Sequence, residues 1–116
     1  MAQMIYKILS VQADAQLRRD AFLSPDGSDA ADGYVHFSTA AQLSATLDLH
    51  YQGHGDLMIL AVDTAACGDA LRWEASRDGA LFPHLYAPLA AAMVAARFKL
   101  NATRDGLTAF LQEVAA

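Results

Sequence analysis

The chain has one cysteine, Cys67, so no disulfide can close within it. A lone cysteine reads either as a small buried hydrophobe or as a reactive thiol, and burial is the more ordinary fate. No run of apolar residues reaches membrane-spanning length, and the N-terminal Met-Ala-Gln-Met-Ile-Tyr-Lys has no basic stretch followed by an apolar one. These absences predict a cytoplasmic protein with no membrane partner. Positive charge is also scarce: eight basic residues stand against thirteen acidic ones, for a net charge of -5. The basic residues are scattered from Lys7 to Arg104 rather than gathered in a stripe, which argues against general nucleic-acid binding. A glycine-rich phosphate loop ending in Lys-Ser or Lys-Thr, a nucleophile elbow and a paired-cysteine metal motif are all missing.

What is present is a folding composition. The 116 residues are 54% apolar and 18% charged, enough to bury one core and too short for two, so residues 1–116 read as a single domain. Met4 to Leu9 is rich in strand formers and predicts a first strand. Ser10 or Asp14 can cap a following helix that runs to Arg19, with Leu17 and Ala21 spaced to touch the core. Ser24-Pro25-Asp26-Gly27-Ser28-Asp29 predicts a turn, followed by a short strand over Tyr34 to Phe37.

Ser38 or Thr39 occupies an N-cap position ahead of a helix from Ala40 to Leu49, and Gln42 follows Thr39 at the capping-box spacing. Gln52 to Asp56 is a loop, and the apolar run Leu57 to Val62 predicts a central strand. Leu71 to Glu74 is a further short strand, with a turn at Arg77-Asp78-Gly79. One helical turn over Leu89 to Ala92 precedes Met93 to Phe98, where alanines favour helix but alternation and the nearby prolines favour strand. Asn101 to Gly106 is a turn, and Leu107, Phe110, Leu111 and Val114 trace one face of a terminal helix. The mixture predicts an α+β domain.

Two polar-aromatic islands stand out, Asp32-Gly33-Tyr34-Val35-His36-Phe37-Ser38-Thr39 and Phe82-Pro83-His84-Leu85-Tyr86-Ala87-Pro88. Each sets one histidine among strand-forming residues. His36 ends a strand immediately before a helix start, where the hydroxyls of Ser38 and Thr39 and free backbone N–H groups favour a hydroxyl or an anion. His84 is bracketed by prolines, and Tyr86 alternates onto its face. Glu74 can orient a histidine or act as acid or base, and Trp73 beside it can pack or form a pocket rim. The pattern predicts one pocket with His36, His84 and Glu74 as catalytic candidates and Ser38, Thr39, Trp73 and Tyr86 as binding candidates. A metal is not assigned: His50 and His54 are four apart, but the glycines beside His54 break the helix that would align them.

Taken together, Ile5-Tyr6-Lys7-Ile8, the two islands, Gln42, Leu71-Arg72-Trp73-Glu74 and Pro88-Leu89 closely resemble a bacterial family of small proteins known as domain of unknown function 952. That family is grouped with the ADP-ribosyltransferase-like fold, a compact split or strongly bent β-sheet with flanking helices. The resemblance implies a pocket for NAD or a phosphorylated nucleotide, and with it a glycosyl or phosphate transferase. His36 would hold the ligand ribose, with Ser38 supporting its strand end. Tyr86 or His84 would flank the nicotinamide or phosphate, and Glu74 would be an acid or orienting group. Breaking a nicotinamide–ribose bond needs a fixed ribose and stabilisation of developing positive charge. Glu74 and Glu113 are the only glutamates, and Glu113 lies in the terminal helix. An incomplete catalytic set would leave the alternative, a non-enzymatic nucleotide sensor or accessory protein.

Overall fold

The computed structural model describes residues 3–76, 79–101, 103–104 and 106–115. The strand-forming start becomes β1 (Met4–Ser10), and the Ser10 hydroxyl then accepts the Ala13 N–H to cap α1 (Val11–Asp20). Leu17 is fully buried as its spacing predicts. Ala21 instead stays exposed, because it takes the left-handed conformation (φ 70°) that stops the helix. The predicted turn over Ser24 to Asp29 is replaced in part by a short helix, α2 (Gly27–Asp32), capped by Asp26 and closed by Gly33 at φ 83°. Glycine suits that position because a side chain there would be strained.

β2 (Val35–His36) follows, and Thr39 forms the predicted capping box with Gln42. A single 3-10 turn, Ala40–Gln42, leads from it into α3 (Leu43–His50), which buries Leu43 and Leu47. Next come β3 (Leu57–Asp63), α4 (Thr64–Cys67) with a 3-10 turn at Gly68–Ala70, β4 (Leu71–Ala75) and β5 (Leu81–Leu85). Of the predicted turn joining β4 to β5, Arg77 and Asp78 lie outside the described residues, as do Ala102 and Asp105 of the later one. The helical turn expected at Leu89 to Ala92 sits two residues on, at Ala91–Met93 and in 3-10 form. β6 (Val94–Leu100) resolves the ambiguous segment as strand, and α5 (Leu107–Ala115) closes the chain.

The strands form two antiparallel three-stranded sheets, ordered β1-β3-β6 and β2-β5-β4. Their registers include Ile8 opposite Ile59, Ile59 opposite Phe98, and His36 opposite His84. Tyr6 and Ser38 exchange backbone hydrogen bonds of 2.8 and 2.9 Å, which stitches the first sheet to the strand end of the second. The class is therefore α+β with two small sheets and flanking helices.

The apolar run of β3 reflects burial on both faces. Met58, Leu60 and Val62 point to a core shared with Ile5, Leu9, Leu17 and the inner residues of the second sheet. Leu57 and Ile59 point the other way, to a core closed by α3 and α5 through Leu43, Leu47, Phe110 and Val114. At roughly 25 cal/mol per Å² of apolar surface, this double burial is the main stabilising term of the fold. Cys67 belongs to the first core, and burial pushes its thiol above the ordinary range, so it is a packing residue rather than a reactive one.

Candidate functional site

The second sheet is built differently. Its inner face presents Val35, Phe37 and Leu85 to the first core. Strand alternation then sends Tyr34 and His36 of the β2 segment, His84 and Tyr86 of the β5 segment, and Arg72 and Glu74 of β4 to the opposite face. Pro83 is accommodated in the middle strand because its carbonyl still accepts the Phe37 N–H, at 3.1 Å.

On that outer face Glu74 is the hub of one cluster. Its Oε1 accepts from the Tyr86 hydroxyl at 2.7 Å and lies 2.8 Å from His84 Nδ1. These two bonds hold the Glu74 carboxyl below its usual range, the tyrosine bond being the larger cause. The same bond holds the Tyr86 proton on, and its pKa is pushed up to about 12. Arg72 lies over the Tyr86 ring, 5.5 Å from its centroid.

His36 anchors a second cluster. Asp29 Oδ1 lies 2.7 Å from its Nδ1, Asp32 Oδ2 lies 2.9 Å from its Nε2, and Asp29 Oδ1 also accepts the His36 backbone N–H. The other Asp29 oxygen accepts from the buried Lys7 ammonium at 2.7 Å, and Lys7 donates onward to the His36 carbonyl. Burial lowers the Lys7 pKa, with the Asp29 charge and hydrogen bond acting in opposition.

Tyr34 joins the clusters: its ring centroid lies 4.6 Å from His36, 4.2 Å from His84 and 4.9 Å from Tyr86. The two imidazoles are 5.3 Å apart. A polar cavity of about 440 Å³ opens here, with His36, His84, Asp32, Ser38 and Thr46 among its walls.

The two histidines differ in what they have left to offer. His36 has both ring nitrogens against carboxylates. His84 has Nδ1 against Glu74, and its Nε2 has no protein partner among the described residues. His84 is 3% exposed and lines the cavity. A carboxylate at Nδ1 selects the tautomer with its proton there, which places a lone pair on Nε2.

The structure therefore gathers His36, His84, Glu74 and Tyr86 on one face. Ser38 lines the cavity, and its hydroxyl lies 3.2 Å from Thr46 Oγ1. Thr39 is engaged elsewhere: its hydroxyl accepts the Gln42 N–H, and its own N–H goes to the Gln42 side chain. Trp73 alternates onto the face opposite Glu74 and is 37% exposed. His50 reaches the cavity while His54 packs its ring on Tyr51, and no group of three metal-ligating side chains is found among the described residues.

Sequence reasoning missed Tyr34, Asp29, Asp32, Lys7 and Arg72. Tyr34 was within reach of the alternation rule, since it precedes His36 by two positions as Tyr86 follows His84 by two. Lys7 counts in the sequence only among the scattered basic residues. Asp29 ended the segment predicted as turn and Asp32 opened the first island, and only the helix there sets both toward His36.

The fold and site define a small α+β protein with a histidine–carboxylate cleft on the outer face of its second sheet. The chain belongs to the family described as "Protein of unknown function (DUF952)", whose model matches residues 8–97. Among solved structures it is similar to the crystal structure of protein CC0527 from Caulobacter crescentus. That likeness has 37% identity and a TM-score of 0.86, and covers 94% of this chain and 98% of the other. The solution NMR structure of CC0527 is similar at 38% identity and a TM-score of 0.76, over 84% of each chain. No curated protein matches the chain.

Proposed function

We propose that the cleft carries out glycosyl transfer from a nucleotide of the NAD type, with His84 as general base. The observation that carries this reading is the Glu74–His84 pair, with His84 at the cavity wall. In the step, the acceptor hydroxyl gives its proton to His84 Nε2 while its oxygen bonds to the anomeric carbon. The carbon–nitrogen bond to nicotinamide breaks, and nicotinamide leaves neutral with the bonding electron pair. Positive charge develops on the ribose, and the carboxylates of Asp32 and Glu74 beside aromatic faces suit it. They suit a phosphoryl group less well, because Asp29, Asp32 and Glu74 are acidic and Lys7 is spent on Asp29, leaving Arg72 over the Tyr86 ring as the nearby cation. This favours glycosyl over phosphate transfer. Tyr34 and Tyr86 supply the stacking surface, and Ser38 a hydroxyl at the cavity wall.

The alternative is a nucleotide-binding sensor without turnover. It is favoured by His36, whose two ring nitrogens are both engaged by carboxylates, so one histidine rather than two is available as base. The test is nicotinamide release from NAD, run beside thermal shifts with NAD, ADP-ribose and nucleotide phosphates. Release that disappears in folded His84→Ala supports transfer. A ligand shift without release supports the sensor. No shift with any of these compounds, and no release, overturns both.

A further inference from the structure

A second cavity, of about 660 Å³, adjoins the site on the far side of the tyrosines. Tyr34 and Tyr86 line it while also packing against each other and, through Tyr34, against both histidines. The remaining walls include Phe22, Pro25, Ala30 and Pro88, and among the described residues no lysine, arginine or histidine contributes.

Several of the polar groups nearby are already engaged. The Ser24 N–H goes to the Gln16 side-chain oxygen at 2.9 Å, and the Phe22 carbonyl accepts from the Gln16 amide at 2.8 Å. The Leu23 N–H goes to the Leu89 carbonyl. Asp29 reaches this cavity too, but its two oxygens are bonded to His36 and Lys7. Gln16 and the Phe22–Ala90 bridge fix the loop that forms the outer wall, so the groove is preformed. A phosphate would find no counter-charge there. A flat uncharged ring would find aromatic and proline faces and would leave no buried polar group newly unpaired.

We infer that this groove is the binding site for an uncharged planar aromatic ring of the substrate, holding it beside Tyr34 while the reacting carbon lies toward His84. The inference rests on the glycosyl-transfer reading for what is attached to the ring, but the groove's selectivity is measurable without turnover. Adenosine, which carries a planar ring, and ribose 5-phosphate, which lacks one, are suitable probes. The expected result is binding of adenosine by calorimetry, with ribose 5-phosphate weaker by about tenfold or more, and backbone amide shifts concentrated at Gly33 and Ala87.

Ala30 is exposed on α2, so Ala30→Trp is a plug that the fold can carry. It should weaken adenosine binding by about tenfold or more, and Phe22→Ala at the mouth should weaken it less. Equal binding of the two probes, or amide shifts that avoid the groove in the wild-type protein, overturns the inference whether or not the plugged variant folds. Adenosine in the groove without nicotinamide release removes the transfer reading alone. Release without adenosine at the groove removes the groove alone.

Discussion

The two sheets contain the same number of strands and do opposite work. In the first sheet β1 and β3 are covered on both faces, by the second sheet and α1 on one side and by α3 and α5 on the other, while the edge strand β6 is largely exposed. β2-β5-β4 is covered on one face only, and the free face carries Tyr34, His36, Glu74, His84 and Tyr86. A doubly buried sheet has no place for a reactive group, because each ionisable side chain would need a buried partner. A half-covered sheet can spend one face on packing and the other on chemistry. Lys7 links the two: it projects from the buried β1 into the second sheet's site and satisfies its charge on Asp29.

The contrast can be broken most severely at that link. Lys7→Ala leaves the Asp29 carboxylate buried without its cation, with an expected cost of about 3–5 kcal/mol in chemical denaturation. Next comes packing in the first sheet: Leu60→Ala, at a fully buried central position, should cost about 2–5 kcal/mol by the same measurement. Leu81→Ala on the exposed margin of the second sheet should stay within about 0.5 kcal/mol. If Leu81→Ala costs as much as Leu60→Ala, the division of labour between the sheets is wrong.

The outer face should reveal itself through pH. Tyr86 in the folded protein keeps its proton until about pH 12, against an ordinary value of 10.0. Its raised value makes a stabilising contribution that is complete below pH 10.0 and is lost as pH rises toward 12. Glu74, held low, contributes above its ordinary carboxyl range, and that contribution is lost as pH falls through the folded value. Glu74→Gln should bring the Tyr86 transition back toward its ordinary value, read by tyrosinate absorbance. An unmoved transition would show that Glu74 does not hold the Tyr86 proton. The smallest effect belongs to the exposed Lys99–Asp56 pair at 3.7 Å, where Lys99→Ala should change stability by less than about 1 kcal/mol.

The elements that the sequence displayed best are those whose signal is local. The apolar run of β3, the spacing of α5 and the Thr39–Gln42 box each depend on neighbours a few residues away, and each appears as predicted. Ala21 and α2 were misread for the same reason inverted. Spacing alone does not show that Ala21 turns left-handed to end α1, and a cluster of turn formers does not show that Asp26 will cap a helix instead. Thr39 caps its helix as predicted, its hydroxyl accepting the Gln42 N–H.

The sequence by itself determined the α+β class, the strand alternation that pairs His84 with Tyr86, and the family to which the chain belongs. These follow from periodicity, capping and a specific residue signature, all of which are written along the chain. Only the tertiary structure decided that His36 stands opposite His84, that Tyr34 packs against both, and that Lys7 reaches Asp29 across twenty-two residues. It also separated the histidines, tying His36 at both nitrogens to carboxylates and His84 at Nδ1 to Glu74. The physical reason is that hydrogen bonds and ring contacts depend on distances of a few ångströms between segments, and those distances are set by how two sheets pack rather than by any local pattern.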